Sequence, residues 1–269
     1  MERKSQPPKR FGKPSNSRTS RPGSSRPEKS GPRNDRTRSD RPGSSRPLRA
    51  KPDRVRRVSP IEEPEIPAEI TGEELPRQEL FQFQSLAQEN AERVKKHLVA
   101  LSQFLLTDPE RAFRHGQAAA FRAGRIALVR ERAGIAGVES GHFIEAQKDL
   151  RAASRISGSV EVLPYIARCE VALGNPRKAL EIAGSVDQKK LTTAGRVMMR
   201  IAASQARRAL NEPDAAVLTL QCSELNTKDA SWSRALHREY RDALVSAKRE
   251  SDALAFESKF PESFQPLQN

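Results

Sequence analysis

The sequence predicts an all-α fold: an α-solenoid of about five helical hairpins, preceded by a disordered N-terminal tail. Two observations predict it. Alanine recurs at spacings of 33 to 37 residues between residues 112 and 253, and a period of that length is typical of helical repeat arrays. Residues 1–60 contain almost no apolar side chains, so the core must come from the rest of the 269-residue chain.

The first predicted segment is the tail, residues 1–60. It holds 19 basic and 5 acidic side chains, so it accounts for the whole net charge of +14. It also contains 10 of the 19 prolines, and the heptapeptide RPGSSRP occurs twice, at residues 21–27 and 41–47. Such a composition cannot bury enough apolar surface to offset the entropy lost on ordering. We therefore expect a disordered, basic, low-complexity tail.

The tail arginines are candidates for contact with a polyanion, because a guanidinium group can donate two parallel hydrogen bonds to a phosphate. Single-strand nucleic-acid binders also use aromatic side chains for base stacking, and Phe11 is the only aromatic residue in the tail. Contact without sequence specificity is therefore expected, either with RNA or the ribosome or with an anionic membrane or protein, and a solvated tail without a ligand is the alternative. The candidate residues are Arg21, Arg26, Arg33, Arg36, Arg38, Arg41, Arg46, Arg54, Arg56 and Arg57.

The flanks of the repeat region have a different composition. Residues 61–83 carry seven glutamates and three prolines against the single basic residue Arg77, which predicts an acidic, proline-containing linker. Residues 84–260 are predicted to form the solenoid, and residues 261–269 are predicted to form a C-terminal tail.

Five copies of a helical hairpin account for the period. The second helix of each copy is marked by an early alanine: Ala112, Ala146, Ala179, Ala216 and Ala253. Proline stands three residues before the marker in three copies, at the first helical turn, where its missing N–H is tolerated: Pro109, Pro176 and Pro213. Five residues before the marker stand Gly141, Gly174 and Asn211, which suit the left-handed turn that ends a helix.

In four copies, the first helix has a small residue twelve positions before the marker: Ala100, Gly134, Ala167 and Ser204. Small side chains allow two paired helices to approach closely. The fifth copy has Arg241 there and Lys248 five residues before its marker. These residues favour a solvent-facing cap, and a fifth true repeat is the alternative.

Residues 84–260 resemble tetratricopeptide repeats. The resemblance is clearest in the second copy, where Ala133-Gly134 is followed by Gly141-His142-Phe143-Ile144-Glu145-Ala146 and by Leu150 to Ala153. The sequence departs from the family pattern at Gly137, where the family has tyrosine. With its basic tail, the chain is similar to a group of bacterial tetratricopeptide-repeat proteins that generally carry no assigned activity.

The resemblance implies a concave groove, lined by the first helices, that accepts an extended peptide or a partner helix. Transfer of the groove register gives His97, Leu101 and Phe104 in copy one, Glu131, Ile135 and Val138 in copy two, and Arg168, Val171, Gln205, Arg208, Arg238 and Asp242 in the last three. The candidate site residues are Arg168, Gln205, Arg208 and Arg238. Their positive charge predicts an acidic peptide ligand, and solvated arginines without a ligand are the alternative.

No motif for enzymatic chemistry is present. Phosphate-binding glycine loops, metalloprotease histidine pairs and serine nucleophile elbows are all missing from the sequence. Cys169 lies at a small, inward position and is expected to be a packed thiol. We therefore expect no enzymatic activity, no cofactor and no metal site. A run of about 18 apolar residues is also missing, so we expect no membrane span, and two cysteines favour a cytoplasmic protein.

The sequence thus predicts a non-enzymatic scaffold that binds a protein through its solenoid groove. One alternative is an RNA- or ribosome-associated factor in which the arginine-rich tail is the main binding element. Another is regulation by phosphorylation of the tail at Ser24, Ser44 or Ser59, where phosphates would cancel positive charge. The partner and the oligomeric state do not follow from the sequence.

Overall fold

A computed structural model of the chain describes residues 62–265. Over that range the protein is all-helical, without a strand. Its α-helices are α1 (Arg77–Leu80), α2 (Gln88–Phe104), α3 (Pro109–Ala123), α4 (Ala127–Glu139), α5 (Phe143–Ser157), α6 (Leu163–Ala172), α7 (Pro176–Ser185), α8 (Thr193–Ala209), α9 (Pro213–Leu220), α10 (Ser233–Ser246) and α11 (Glu250–Lys259).

Helices α2 to α11 pack as five consecutive pairs, and each pair also packs against the next. The five marker alanines all lie in the first turns of α3, α5, α7, α9 and α11. Each of them is at most 3% exposed, because these positions face the first helix of the same pair. The predicted all-α, solenoid-like fold is therefore confirmed for the described residues.

The turns within the pairs follow the predicted pattern. Gly141, Gly174 and Asn211 have φ angles of 84°, 81° and 61°, in the left-handed region. Lys248 takes the same conformation at the fifth turn, with a φ of 59°. Helices α3, α7 and α9 each begin at the predicted proline, where the ring does not interrupt a helical hydrogen bond.

Two glycines allow the close approach of α4 and α5. A Cβ atom at Gly134 would lie 2.6 Å from Cγ of Leu150, and one at Gly137 would lie 2.9 Å from Cβ of Ala146. Both distances are shorter than van der Waals contact, so neither position has room for a larger side chain in this packing. The close approach of α4 and α5 therefore depends on glycine at both positions.

Residues 62–83 differ from the linker that the sequence suggests. We name them the N-terminal strap, because they pack along the first helix pair. Ile70, Leu75 and Phe83 are 2%, 5% and 3% exposed, and they share a core with Val94 and Leu98 of α2. The strap therefore covers apolar surface of α2 that would otherwise face solvent at the end of the solenoid.

The acidic residues of the strap make ion pairs with the helices. Glu63 accepts from Nε of Arg93 at 2.8 Å and from Nε of Arg122 at 2.6 Å, and Glu79 accepts from Arg132 at 2.7 Å. Partial burial raises the pKa of Glu63, but the hydrogen bonds from Arg122 and Arg93 outweigh it and lower the pKa to about 2. The acidity of this segment therefore fixes it to α2, α3 and α4.

The predicted C-terminal tail also begins inside the helical body. Residues Pro261–Ser263 form a 3₁₀ turn, and Ser263 is 8% exposed. Its hydroxyl lies 2.7 Å from Nδ1 of the buried His237 in α10. Residues 266–269 lie outside the described range. None of the helices within residues 62–265 is long and apolar enough to cross a membrane.

Candidate binding groove

One cavity is lined by residues from all five helix pairs. Its volume is about 560 Å³, and the α2–α3 turn, α4, α6, α8 and α10 contribute to it. The solenoid is therefore curved enough for its first helices to face a common space. The lining includes Leu105, Leu106, Ile135, Glu139, Tyr165, Arg168, Met198, Ile201, Gln205, Trp232, Arg238, Glu239 and Asp242.

Two further cavities adjoin this one. A cavity of about 500 Å³ shares Arg168 and Gln205 with it and is also lined by Arg208. A cavity of about 640 Å³ shares Leu106, Glu139 and Arg238 with it and lies between α10 and the C-terminal 3₁₀ turn. We refer to the three cavities together as the concave groove. The four site residues predicted from the sequence, Arg168, Gln205, Arg208 and Arg238, all line it.

The central cavity has an apolar wall, which we define as Ile135, Tyr165, Met198, Ile201 and Trp232. All but Ile201, which is buried, are partly exposed. The sequence predicts a groove position for Ile135. Trp232 packs on the core and also lines the groove. Tyr165, Met198 and Ile201 were not predicted, because the transferred register selects other positions on α6 and α8.

Two of the predicted groove arginines are already paired. Arg168 donates to Oε1 of Glu139 at 2.8 Å, and Arg208 donates to Oε1 of Glu239 at 3.1 Å. Each pair joins the first helices of neighbouring hairpins. Because a carboxylate neutralises each guanidinium group, these two residues attract an acidic ligand less than their sequence positions suggest.

Glu239 is the centre of a hydrogen-bond network at the base of the groove. It is 6% exposed and accepts from Ser204 at 2.9 Å and from Gln205 at 3.2 Å, in addition to Arg208. Burial raises the pKa of Glu239, and the bonds from Arg208, Ser204 and Gln205 counteract that effect only in part. Gln205, a predicted ligand contact, is thus also a structural link between α8 and α10.

Arg238 has different partners, and so does Arg234 one helical turn earlier on α10. Arg238 donates through Nε to the backbone carbonyl of Ser263 at 3.0 Å. Arg234 donates to the carbonyls of Glu262 and Gln265 at 3.0 and 2.8 Å. Neither forms an ion pair with a carboxylate among residues 62–265. Arg234 was not predicted, although it lies four residues before a predicted site residue.

The first hairpin does not contribute the residues that the register assigns to it. His97 and Leu101 are 0% and 2% exposed, and Phe104 stacks on the buried His115 with ring centroids 5.8 Å apart. None of the three lines the groove cavities. The reason is the packing inside the solenoid: Leu101 and Phe104 pack with Ala112 and Phe113 of α3, and His97 lies against His115 of α3.

The tail arginines predicted to contact a polyanion, from Arg21 to Arg57, lie outside the described residues. The three serines considered for phosphorylation lie there as well.

Burial shifts the pKa values of one buried cysteine and three buried histidines. Burial raises the pKa of the Cys169 thiol to about 11, which disfavours the reactive thiolate. Burial lowers the pKa of His97, His115 and His237. Within residues 62–265, no group of three or more metal-ligating side chains is arranged to hold a metal ion.

Fold and groove together define an all-helical, solenoid-like repeat protein with a concave face. Comparison of the chain with protein-family models, with curated proteins and with solved structures finds no match.

Proposed function

We propose that this protein is a non-enzymatic scaffold that binds a segment of another protein in its concave groove. One observation carries the proposal: the curvature of the solenoid brings residues from all five helix pairs around one cavity with an apolar wall. Apolar and aromatic side chains around a concave site, with a few polar groups, are typical of binding sites. Tyrosine, tryptophan and arginine are also the residues that contribute most to protein–protein binding energy.

We further propose that the repeats are of the tetratricopeptide type. Three features support this: the marker alanines, the prolines that begin α3, α7 and α9, and the left-handed turns.

Both cysteines, Cys169 and Cys222, are free thiols, which supports a reducing compartment such as the cytoplasm.

The tail is proposed to add weak, salt-sensitive contacts with a polyanion. The net charge of +14 that it contributes supports this part of the proposal. Such contacts weaken as added salt reduces the gain from counterion release, whereas burial of apolar groups in the groove depends less on salt.

The test is affinity purification from a native cell lysate with the full-length protein and two variants. One variant carries Ile135→Glu and Met198→Glu in the groove. The matched control carries Ile144→Glu and Leu218→Glu, at positions that are 69% and 66% exposed and line none of the groove cavities. We expect the wild type and the control to recover the same protein and the groove variant to lose it.

Equal recovery by all three proteins would contradict groove binding. A third variant, the full-length chain with its ten predicted contact arginines changed to serine, addresses the alternative. The tail is the main binding element if three results coincide. The wild type recovers RNA or ribosomes at low salt only, this variant recovers neither, and the groove substitutions change the recovery of no protein.

A further inference from the structure

The charges along the concave groove are not evenly compensated. Arg168 and Arg208 face Glu139 and Glu239 at 2.8 and 3.1 Å, so the middle of the groove carries little net charge. Arg234 and Arg238 lie at its α10 end, and among residues 62–265 they donate only to backbone carbonyls. A carbonyl satisfies a donor, but it does not neutralise the charge that the donor carries.

The cavity at the α10 end is lined by four basic side chains, those of Lys228, Arg234, Arg238 and Lys259. Three carboxylates, those of Glu139, Asp229 and Glu262, line it as well. Glu139 is already paired with Arg168, so basic groups outnumber the remaining acidic groups here by four to two. This end of the groove therefore attracts anionic groups.

The apolar wall lies directly beside this basic end. The two cavities share Leu106, Glu139, Ser231, Ala235 and Arg238, so a ligand that fills one reaches the other. Tyr165 and Trp232 offer partly exposed aromatic surface in the central cavity. Burial of bulky apolar groups against such surface provides most of the free energy of binding in protein interfaces.

We propose that the groove takes a peptide segment in which bulky apolar residues stand next to acidic ones, and that the acidic side chains bind Arg234 and Arg238. This inference rests on the proposed function and specifies its ligand. The apolar side chains occupy the space between Tyr165, Met198 and Trp232. Arg168 and Arg208 hold the groove together through their ion pairs and do not select the ligand.

The experiment is a selection of peptides from a random display library, with peptides long enough to span the groove, on the full-length protein. We expect the enriched peptides to contain apolar residues adjacent to aspartate or glutamate. Synthetic, fluorescently labelled versions of the enriched peptides then serve as the probes in anisotropy titrations.

The deciding variant is Arg234→Gln with Arg238→Gln, because glutamine keeps a donor for the backbone carbonyls and removes the charge. We expect roughly tenfold weaker binding, a change of about 1.4 kcal/mol, since two partly exposed ion pairs with the peptide are lost. The matched control is Arg114→Gln with Arg125→Gln, which removes the same charge from exposed positions outside the groove cavities. The control should bind as the wild type does, and thermal unfolding of each variant confirms that it is folded.

The outcomes separate this inference from the proposed function. In one outcome, Met198→Glu abolishes peptide binding, but the enriched peptides lack acidic residues or bind the double glutamine variant as tightly as the wild type. This outcome would refute the inference and leave the proposed function intact. Failure to enrich any peptide, or binding that Met198→Glu does not affect, would count against both.

Discussion

The buried pair His97 and His115 allows a quantitative prediction about stability at acidic pH. Both side chains are 0% exposed, and their Nδ1 atoms lie 3.0 Å apart. One nitrogen must accept the hydrogen bond, so at least one imidazole is neutral in the folded state. Burial, together with the charges of His97, Arg111 and Arg114, lowers the pKa of His115 to about 4.

The sign of the effect follows from the direction of this shift. Below the ordinary histidine pKa of 6.5, the unfolded chain binds a proton at His115 before the folded protein does, so the free energy of unfolding falls as the pH decreases. The loss begins near pH 6.5 and is complete only below the folded-state pKa of about 4. A pKa difference of this size corresponds to about 3 kcal/mol, which is a large part of the stability of a domain.

The assay is urea denaturation, followed by far-UV circular dichroism, at about pH 7 and about pH 4.5. Between these pH values, we expect the free energy of unfolding of the wild type to fall by about 2–3 kcal/mol more than that of the variant His115→Asn, which has no imidazole at this position. The variant is less stable at both pH values, because asparagine fills less space, so only the difference between them is compared.

His142 provides the control, since it lies at the surface and contacts Glu110 at 2.8 Å. The variant His142→Asn should lose stability in parallel with the wild type, to within about 1 kcal/mol. If the wild type and His115→Asn lose the same free energy between the two pH values, the buried pair is not the source of the acid sensitivity.

Three further predictions concern stability and can be checked by chemical denaturation. Gly134→Ala should destabilise the protein by about 1–3 kcal/mol, because its Cβ has no space between α4 and α5. The control, Gly184→Ala in α7, should stabilise it by about 1 kcal/mol, because nothing lies within 4 Å of the added Cβ. Equal effects of the two substitutions would contradict the close approach of α4 and α5. Ile70→Ala should destabilise the protein by about 2–4 kcal/mol through the cavity that it leaves under the strap. The control, Phe81→Ala at a position 68% exposed, should change stability by about 0.5 kcal/mol or less. If Ile70→Ala does not change stability, the strap does not pack against α2. Lys248→Gly should stabilise by about 1 kcal/mol because its φ of 59° strains a residue with a Cβ, and a loss of stability would argue against the left-handed turn.

The repeat period and the hairpin turns could be predicted because they depend on local chemistry. Proline at the start of α7 and glycine at position 174 act within one or two residues of where they stand. The alanine at position 179 marks a close helix contact within the same hairpin. Such local signals are sufficient to locate the helix pairs along the chain.

The packing of the N-terminal strap could not be predicted in the same way. Its prolines and glutamates dominate the local composition and indicate a linker. The burial of Ile70, Leu75 and Phe83 depends on an uncovered face of α2, which is a property of the folded solenoid. For the same reason, the register placed His97 in the groove although its side chain is buried against His115 of α3.

The transferred register selected some of the residues that line the concave groove, but it did not show how their charges are paired. The helical register brought Arg168 and Gln205 to the concave face. The ion pair of Arg168 with Glu139 spans 29 residues and depends on how neighbouring hairpins pack, so no local pattern reveals it. Met198 and Tyr165 also line the groove but could not be predicted, because packing sets the rotation of α8 and α6 about their axes.

We propose that a protein partner occupies the concave face. Hydroxyl-radical footprinting of the full-length protein, with and without its captured partner, tests it most directly, because Tyr165, Met198 and Trp232 all have readily oxidised side chains. We predict that the partner protects these three residues while the exposed Phe81 and Phe121 remain as reactive as in the free protein. Protection at Phe81 and Phe121, with Tyr165, Met198 and Trp232 unchanged, would contradict the claim.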